Sequence, residues 1–213
     1  MTVSELCAIV LIMLGEPIRD RRAERHERTK AEILEAAWDI ARAAGLAGLT
    51  LRDVAHRVGM RPPSMYSYFD SKNAVYDAMY AQGCREFLDR VTRLALTGDA
   101  LRDLKTGSRM FVEFCVEDPA RYQLMFQRTI PGFEPSAESY ALAVQALRTM
   151  GSHLAKIGIA APEALDMVTA LTTGLADQQI SNDPGGDRWL KLVDEAMEMF
   201  FAHMSNRTQG RLG

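Results

Sequence analysis

Apolar side chains recur every three or four residues along almost the whole chain, a period that predicts helices. The stripe Ile33, Ala36, Ala37, Ile40 and Ala44 is typical of an amphipathic helix with one buried face. No segment alternates apolar and polar residues with the period of two that a half-buried strand requires. The pattern therefore predicts an all-α fold.

Capping and breaking residues divide this pattern into separate helices. Thr29 and Glu32 have the spacing of a capping box and predict a helix that begins at Thr29 and ends at Gly45. Asp118 followed by Pro119 predicts another helix start. Longer stripes predict helices over 73–96, 101–117, 136–157, 162–181 and 187–204.

A helix-turn-helix pattern lies between Thr50 and Lys72. Thr50 with Asp53 predicts a capped short helix, and Gly59 supplies the tight turn that ends it. Pro62 and Pro63 suit the first turn of a second short helix, since that turn leaves its amides unpaired in any case. From the residues alone, a solvated helical hairpin fits the same pattern and is the commoner case.

The second short helix, predicted over 63–69, carries side chains suited to DNA. Met65 and Phe69 are four residues apart and should face inward, which turns hydroxyl groups and an arginine outward. Arginine can pair with a guanine, and hydroxyls hold phosphates, so the expected partner is a double-stranded DNA operator. The residues expected at this DNA are Thr50, Arg52, Arg61, Pro62, Pro63, Ser64, Tyr66, Ser67, Tyr68 and Lys72.

Residues 33–75 resemble the DNA-binding domain of the TetR (tetracycline repressor) family. The shared positions are Ala36-Ala37, Gly45, Thr50, Val54-Ala55, Gly59, Tyr66-Ser67-Tyr68-Phe69 and Ser71-Lys72. The resemblance implies a three-helix head that binds DNA, followed by a larger helical effector and dimerisation domain. Arg61 and the Pro62-Pro63 pair differ from the family pattern, so the operator sequence does not follow from the resemblance.

A second, weaker resemblance concerns the larger domain. Residues 112–126 are similar to the opening of the effector domain in one TetR subfamily, although Thr173-Gly174 keeps only the glycine of that subfamily's His-Gly pair. Aromatic and Met side chains make adaptable apolar pockets, and they would serve equally in a packed core. The residues expected to line an effector pocket are Phe111, Phe114, Cys115, Tyr122, Phe126, Met150, Met167 and Leu171.

The last two predicted helices are apolar on more than one face. A helix of this kind in a small protein must be buried on several sides, which predicts a partner subunit. The family resemblance implies that these helices form the four-helix bundle of a homodimer. Leu192 and Phe200 are the side chains expected to support it.

Composition and charge narrow the class of protein. A net charge of −3 argues against broad, charge-driven binding of nucleic acid and favours a local DNA-binding surface. Cys7, Cys84 and Cys115 are far apart, and the histidines are scattered, so no metal site or catalytic triad can be assembled. We therefore expect a cytoplasmic protein with reduced thiols, no cofactor and no enzyme activity.

The N-terminal residues leave two questions open. The apolar run Leu6 to Leu14 is too short to cross a membrane and lacks the features of a secretory signal, so it is a helical extension or follows a start codon placed too early. The charged arm Arg19 to Lys30 is a solvated helix or an arm that contacts phosphates or the minor groove.

The expected organisation has four parts: an extension and arm (1–28), a helix-turn-helix domain (29–75), an effector-binding and dimerisation domain (76–205) and a disordered tail (206–213). The function expected is a homodimeric regulator, most often a repressor, released from its operator by a small apolar ligand. Two alternatives remain: a DNA-binding regulator without an effector, and a helical protein-interaction module that would place Arg61 and the tyrosines against a protein.

Overall fold

The computed structural model describes residues 21–210, with side chains up to Arg207. The apolar run Leu6 to Leu14, Cys7 and Arg19 lie outside this range. Within it the chain forms helices and no strands, which confirms the all-α prediction. The helices are α1 (Arg21–Gly48), α2 (Leu51–Arg57), α3 (Pro62–Met65), α4 (Lys72–Thr92), α5 (Ala100–Glu117), α6 (Pro119–Phe126), α7 (Ala137–Lys156), α8 (Ala164–Asn182) and α9 (Val193–Gly210), with a 3₁₀ turn over Leu190–Leu192.

The first helix differs from its predicted bounds. It is already helical at Arg21, so Thr29 lies inside it and the predicted capping box there is wrong. Salt-bridging residues such as Arg28 and Glu32, 3.3 Å apart, support helix on both sides of Thr29. Gly45 takes a positive φ of 75° and kinks the helix where its end was predicted.

The C-terminal helix also differs from the prediction. A buried Gln179 side chain accepts hydrogen bonds from the amides of Trp189 (2.8 Å) and Leu190 (3.3 Å), so the chain forms a 3₁₀ turn before α9 begins. The helix then continues to Gly210, and Arg207 forms an ion pair with Glu163. The predicted disorder from residue 206 is therefore wrong as far as Gly210, and the last three residues lie outside the described range.

Two apolar cores are joined by one helix. Helices α1 to α3 enclose the head core, where Ile33, Ala37, Val54 and Met65 are fully buried. The body core lies among α4 to α9 and is built around contacting aromatic rings, with Phe87 and Phe114 centred 5.0 Å apart. Helix α4 spans both, because its residues 75–84 pack in the head core and Phe87 and Val91 pack in the body core.

Polar contacts fasten the head to the body. The Arg42 guanidinium of α1 lies 2.8 Å from the Asp118 carboxylate at the start of α6. Trp38 donates a hydrogen bond of 3.0 Å to Gln82 of α4. Asp118 also caps α6 by accepting from the amides of Ala120 and Arg121, so one buried carboxylate orders α6 and holds α1.

Candidate nucleic-acid interface and cavity

The helix-turn-helix follows from local capping. The Thr50 hydroxyl accepts from the Asp53 amide (3.1 Å) and donates to the Asp53 carboxylate (2.6 Å), which starts α2 as predicted. Gly59, at a φ of 69°, then turns the chain into α3. Pro62 and Pro63 occupy the first positions of α3, where their missing amide hydrogens cost nothing.

The second short helix is briefer than predicted. Helix α3 ends at Met65 and a turn carries the chain to Phe69, so we call residues 61–68 the recognition segment. Met65 is fully buried and Phe69 nearly so, as predicted. Their burial turns the intervening side chains outward, and Tyr66 is 62% exposed, the largest exposed fraction among the described aromatic side chains.

The structure leaves most of the predicted DNA-facing residues exposed. The exposed members are Thr50, Arg52, Arg61, Pro63, Ser64, Tyr66 and Ser67, and Pro62 is half-buried beside them. The Ser67 hydroxyl is already engaged, since it donates to the Ser64 carbonyl (2.7 Å). An exposed arginine beside hydroxyl groups is the chemistry that binds bases and phosphates.

Two predicted residues are partly held by the protein itself. The half-buried Lys72 ammonium donates to the Ala47 carbonyl (3.1 Å) and lies over the Tyr76 ring. Tyr68 is half-buried and stacks on His26, with ring centroids 4.7 Å apart. His26 was not among the predicted site residues. His26 lies beside Tyr68 because α1 continues through Thr29 toward its N-terminus. The spacing of Thr29 and Glu32 predicted a helix start at Thr29 instead, so the sequence did not indicate this position of His26.

An apolar cavity of about 60 Å³ lies in the body between α4, α5, α7 and α8. Of the eight predicted pocket residues, only Phe111 and Met150 line it. The lining consists of Val91, Leu94, Leu96, Asp103, Leu104, Gly107, Ser108, Met110, Phe111, Met150, His153, Leu154, Ile157, Val168 and Thr172. A volume of this size holds a few water molecules, so a larger ligand requires the lining to move.

The other predicted pocket residues lie elsewhere. Phe114, Cys115 and Tyr122 are buried in the body core, and Phe126 packs edge-on against Phe111. Met167 is half-buried. Leu171 is 42% exposed on the outer face of α8, so its predicted place in the pocket is wrong. The direction of each side chain depends on how α8 packs against α5, which spacing along one helix cannot give.

Most polar side chains around the cavity already form hydrogen bonds within the protein. The Asp103 carboxylate accepts from the amide and hydroxyl of Thr97 and the amide of Gly98, and these hydrogen bonds hold the pKa of Asp103 below its ordinary value. Thr172 donates to the Val168 carbonyl. Burial, with Lys156 nearby, lowers the pKa of His153, which favours a neutral imidazole in the cavity wall.

Cys84 and Cys115, the two cysteines within the described residues, are buried free thiols. Burial raises the pKa of Cys84 to about 11 and that of Cys115 to about 12, so both remain protonated thiols at neutral pH. Among residues 21–207, histidine, cysteine and carboxylate side chains form no cluster of three that could hold a metal ion. No described helix is long and apolar enough to span a membrane.

Exposed apolar side chains mark the outer face of α8 and α9. Leu171 of α8 is 42% exposed and Met199 of α9 is 69% exposed, with Leu192 exposed on the preceding 3₁₀ turn. Phe200 is only 3% exposed and packs inside the protomer with Met197 and Met204. Leu192 therefore fits the predicted exposed face, whereas the expectation that Phe200 faces a partner subunit is wrong.

The short capped helix, the glycine turn and the exposed recognition segment define a helix-turn-helix transcriptional regulator with a helical body. Residues 33–79 match the model for the bacterial regulatory proteins of the tetR family. The chain is 26% identical over 183 residues to the HTH-type transcriptional regulator Mb1846 of Mycobacterium bovis, covering 79% of this chain and 75% of that protein. These matches support a transcriptional regulator of the TetR family.

Solved structures share the fold over about four fifths of this chain. A transcriptional regulator from Rhodococcus sp. RHA1 superposes with a TM-score of 0.66 at 20% identity, over 82% of this chain and 96% of that chain. The transcriptional regulator FadR from Bacillus subtilis, in complex with stearoyl-CoA, gives a TM-score of 0.63 at 16% identity, over 80% of this chain and 96% of that one. The likeness extends through the body as well as the head.

Proposed function

We propose that this regulator binds an operator as a homodimer, represses transcription there, and leaves the operator when a small apolar ligand enters the body. The observation that carries the DNA-binding part is the exposed surface of Arg61, Ser64 and Tyr66 on a segment anchored by buried Met65. A rigidly anchored segment with outward polar side chains is what major-groove binding requires.

Selection of bound duplexes from a random pool tests the DNA-binding part directly. We expect a pseudo-palindromic site whose half-sites are one helical turn, roughly 34 to 36 Å, apart or a multiple of that distance. Binding should weaken steeply as salt rises, because phosphate contacts release counterions. An enriched pool without symmetry would contradict a two-fold dimer, and no enrichment at all would favour a protein-interaction module.

The proposed dimer rests on the outer face of α8 and α9. Leu171 and Met199 expose apolar surface there, although the neighbouring Met197 and Phe200 are buried within the protomer. Apolar side chains exposed together on adjacent helices mark a surface that another protein covers. A second copy would align these two helices with their own symmetry mates in a four-helix bundle.

The proposed effector site is the cavity between α4, α5, α7 and α8. Its lining is mostly apolar, and His153 offers one polar group whose side chain has no hydrogen-bond partner among the described residues. The chemistry favours a small apolar molecule with a single hydrogen-bonding group. The FadR structure contains stearoyl-CoA, but a volume of about 60 Å³ argues for a smaller ligand here or for a wider, ligand-bound state.

The contacts of α5 suggest how a ligand would act on the head. Phe111 and Leu104 of α5 line the cavity, and Asp118 at the C-terminal end of α5 holds Arg42 of α1. Val91 and Leu94 place the end of α4 in the same wall. A ligand that favours one arrangement of α4 and α5 would shift the spacing of the two heads through differential affinity.

A thermal-shift screen of small apolar compounds tests the effector part. Compounds that raise the Tm of the parent should raise it less in Met150→Ala and His153→Ala, and they should weaken operator binding. Phe114→Ala serves as a control, because it removes a buried side chain from the same body core at a position that does not line the cavity. If no compound binds, the regulator without an effector is favoured, in line with the small volume.

A further inference from the structure

The beginning of α1 runs beside the recognition segment. Lys30 lies 5.8 Å from the ring centroid of Phe69, a buried residue of the head core. One turn earlier, the His26 ring stacks on Tyr68 at 4.7 Å, and its Nε2 atom is 3.5 Å from the Ser67 carbonyl. Toward its N-terminal end, α1 thus passes from the buried core to the exposed recognition segment.

Residues 21–25 continue past that contact. At a rise of 1.5 Å per residue, they carry the helix roughly 7 Å beyond His26. They are exposed. Because His26 is level with Ser67 and Tyr68, this extension begins beside the C-terminal end of the recognition segment.

Charges on the extension are segregated. Arg22, Arg25 and His26 are spaced three and four residues apart and share one helical face. Glu24 and Glu27 lie on the opposite face of the helix. The face that includes His26, and is therefore directed toward the recognition segment, is basic. We call Arg22 and Arg25 the basic face of α1.

We propose that the basic face of α1 binds backbone phosphates that flank the base pairs contacted by the recognition segment, an inference that rests on the proposed DNA-binding function. An element at the end of a segment seated in the major groove meets the sugar–phosphate backbone at the groove edge. Guanidinium groups bind phosphate oxygens through charge-assisted, bidentate hydrogen bonds. These contacts add affinity and fix the register of the head, and they carry no sequence preference.

Salt-dependent binding to the selected operator tests this proposal. Arg22→Gln with Arg25→Gln should reduce the slope of log affinity against log salt by about two for each head, and so by about four for the proposed dimer, because each substitution removes one phosphate contact per head. Affinity should fall for every duplex sequence alike. The matched control is Arg28→Gln with Arg93→Gln, which removes the same charge. Arg28 instead pairs with Glu32, and Arg93 lies in the body.

A trimmed operator locates the contact. Removing the base pairs outside each half-site should weaken the parent and the control, and leave the Arg22 and Arg25 double variant unchanged, because its flanking contacts are already lost. Equal losses on trimming in all three proteins, or an unchanged salt slope in the double variant, would overturn the proposal. Arg25→Gln alone replaces the double variant if the latter unfolds at a much lower temperature than the parent, and its expected slope change is about one for each head, or about two for the dimer. Absence of any operator for the parent would instead refute DNA binding itself.

Discussion

At the scale of single residues, Arg61 is the side chain on which base selection is expected to depend most. It is exposed at the N-cap position of α3, where its side chain makes no capping hydrogen bond. If it pairs with a guanine, Arg61→Ala should cost about 1 to 3 kcal/mol of operator binding and relax preference at one base pair. Competition binding against single-base operator variants measures both effects, and Arg102→Ala, which removes an exposed charge from α5, is the control.

Lys72 shows how the structure refines an expectation drawn from sequence. Its ammonium donates a hydrogen bond to the Ala47 carbonyl in the last turn of α1, so part of the effect of Lys72→Ala on operator binding is expected to act through the end of α1. The capping threonine and the inward Met65 were predictable, because both depend on neighbours within a few residues. The Lys72 contact was not, since it joins residues 25 positions apart.

Asp103 gives a residue-scale prediction about pH. Hydrogen bonds from Thr97 and Gly98 hold its pKa below the ordinary value, so the charged carboxylate stabilises the folded protein at neutral pH. A group with a depressed folded-state pKa loses this contribution as the pH falls below about 4, through the folded-state pKa. Asp103→Asn should therefore lower the Tm at pH 7, and the difference from the parent should shrink on acidification. The exposed Asp89→Asn variant should show a much smaller difference, and a gap that is constant with pH would contradict the assignment.

At the scale of elements, the caps explain which helices the sequence predicts well. Ser71, Asp118 and Ser136 each bond the amides of the following turn, and α4, α6 and α7 begin at these residues. Thr29 offers the same local signal inside a continuous helix, where its amide is bonded to the preceding turn. The cavity was less predictable, because Leu171 and His153 differ in burial through the packing of α7 and α8 rather than through spacing.

The crossing of α4 and α6 gives a prediction at this scale. A Cβ atom at Gly83 would lie 2.7 Å from the Met125 Sδ atom, so the glycine permits close approach of the two helices. Gly83→Val should destabilise the protein by roughly 1 to 3 kcal/mol through overpacking. Gly151→Val in α7 is the matched control, because its nearest neighbour is at 3.8 Å. Denaturant unfolding of both variants measures the difference, and equal midpoints would show that Met125 moves away without cost.

At the scale of the whole molecule, the outer face of α8 and α9 is the proposed interface of the homodimer. Met199→Asp and Leu171→Asp place charge on exposed positions and should yield a folded monomer by light scattering. Leu147→Asp is the matched control, because Leu147 is also 42% exposed but lies on α7. Phe200→Asp would unfold the protomer and cannot report on the dimer, since Phe200 is in the core. A Met199 variant that remains dimeric would place the interface elsewhere.

The junction between head and body contains an ion pair that is expected to help the two parts respond together. Arg42 contacts the Asp118 carboxylate at 2.8 Å, and Asp118 is almost fully buried, whereas Arg42 is about half exposed. Because the arginine is half exposed, solvent screening limits the interaction energy of this ion pair. A double-mutant cycle with Arg42→Gln and Asp118→Asn should therefore give a coupling on the order of 1 kcal/mol in unfolding free energy. Asn can still cap α6, which keeps the fold intact.

If the pair also links the cavity to the head, a compound that stabilises the body of Arg42→Gln should no longer weaken operator binding to the same degree as in the parent. An unchanged effect in Arg42→Gln would assign the coupling to α4 alone, the other element that is packed in both cores.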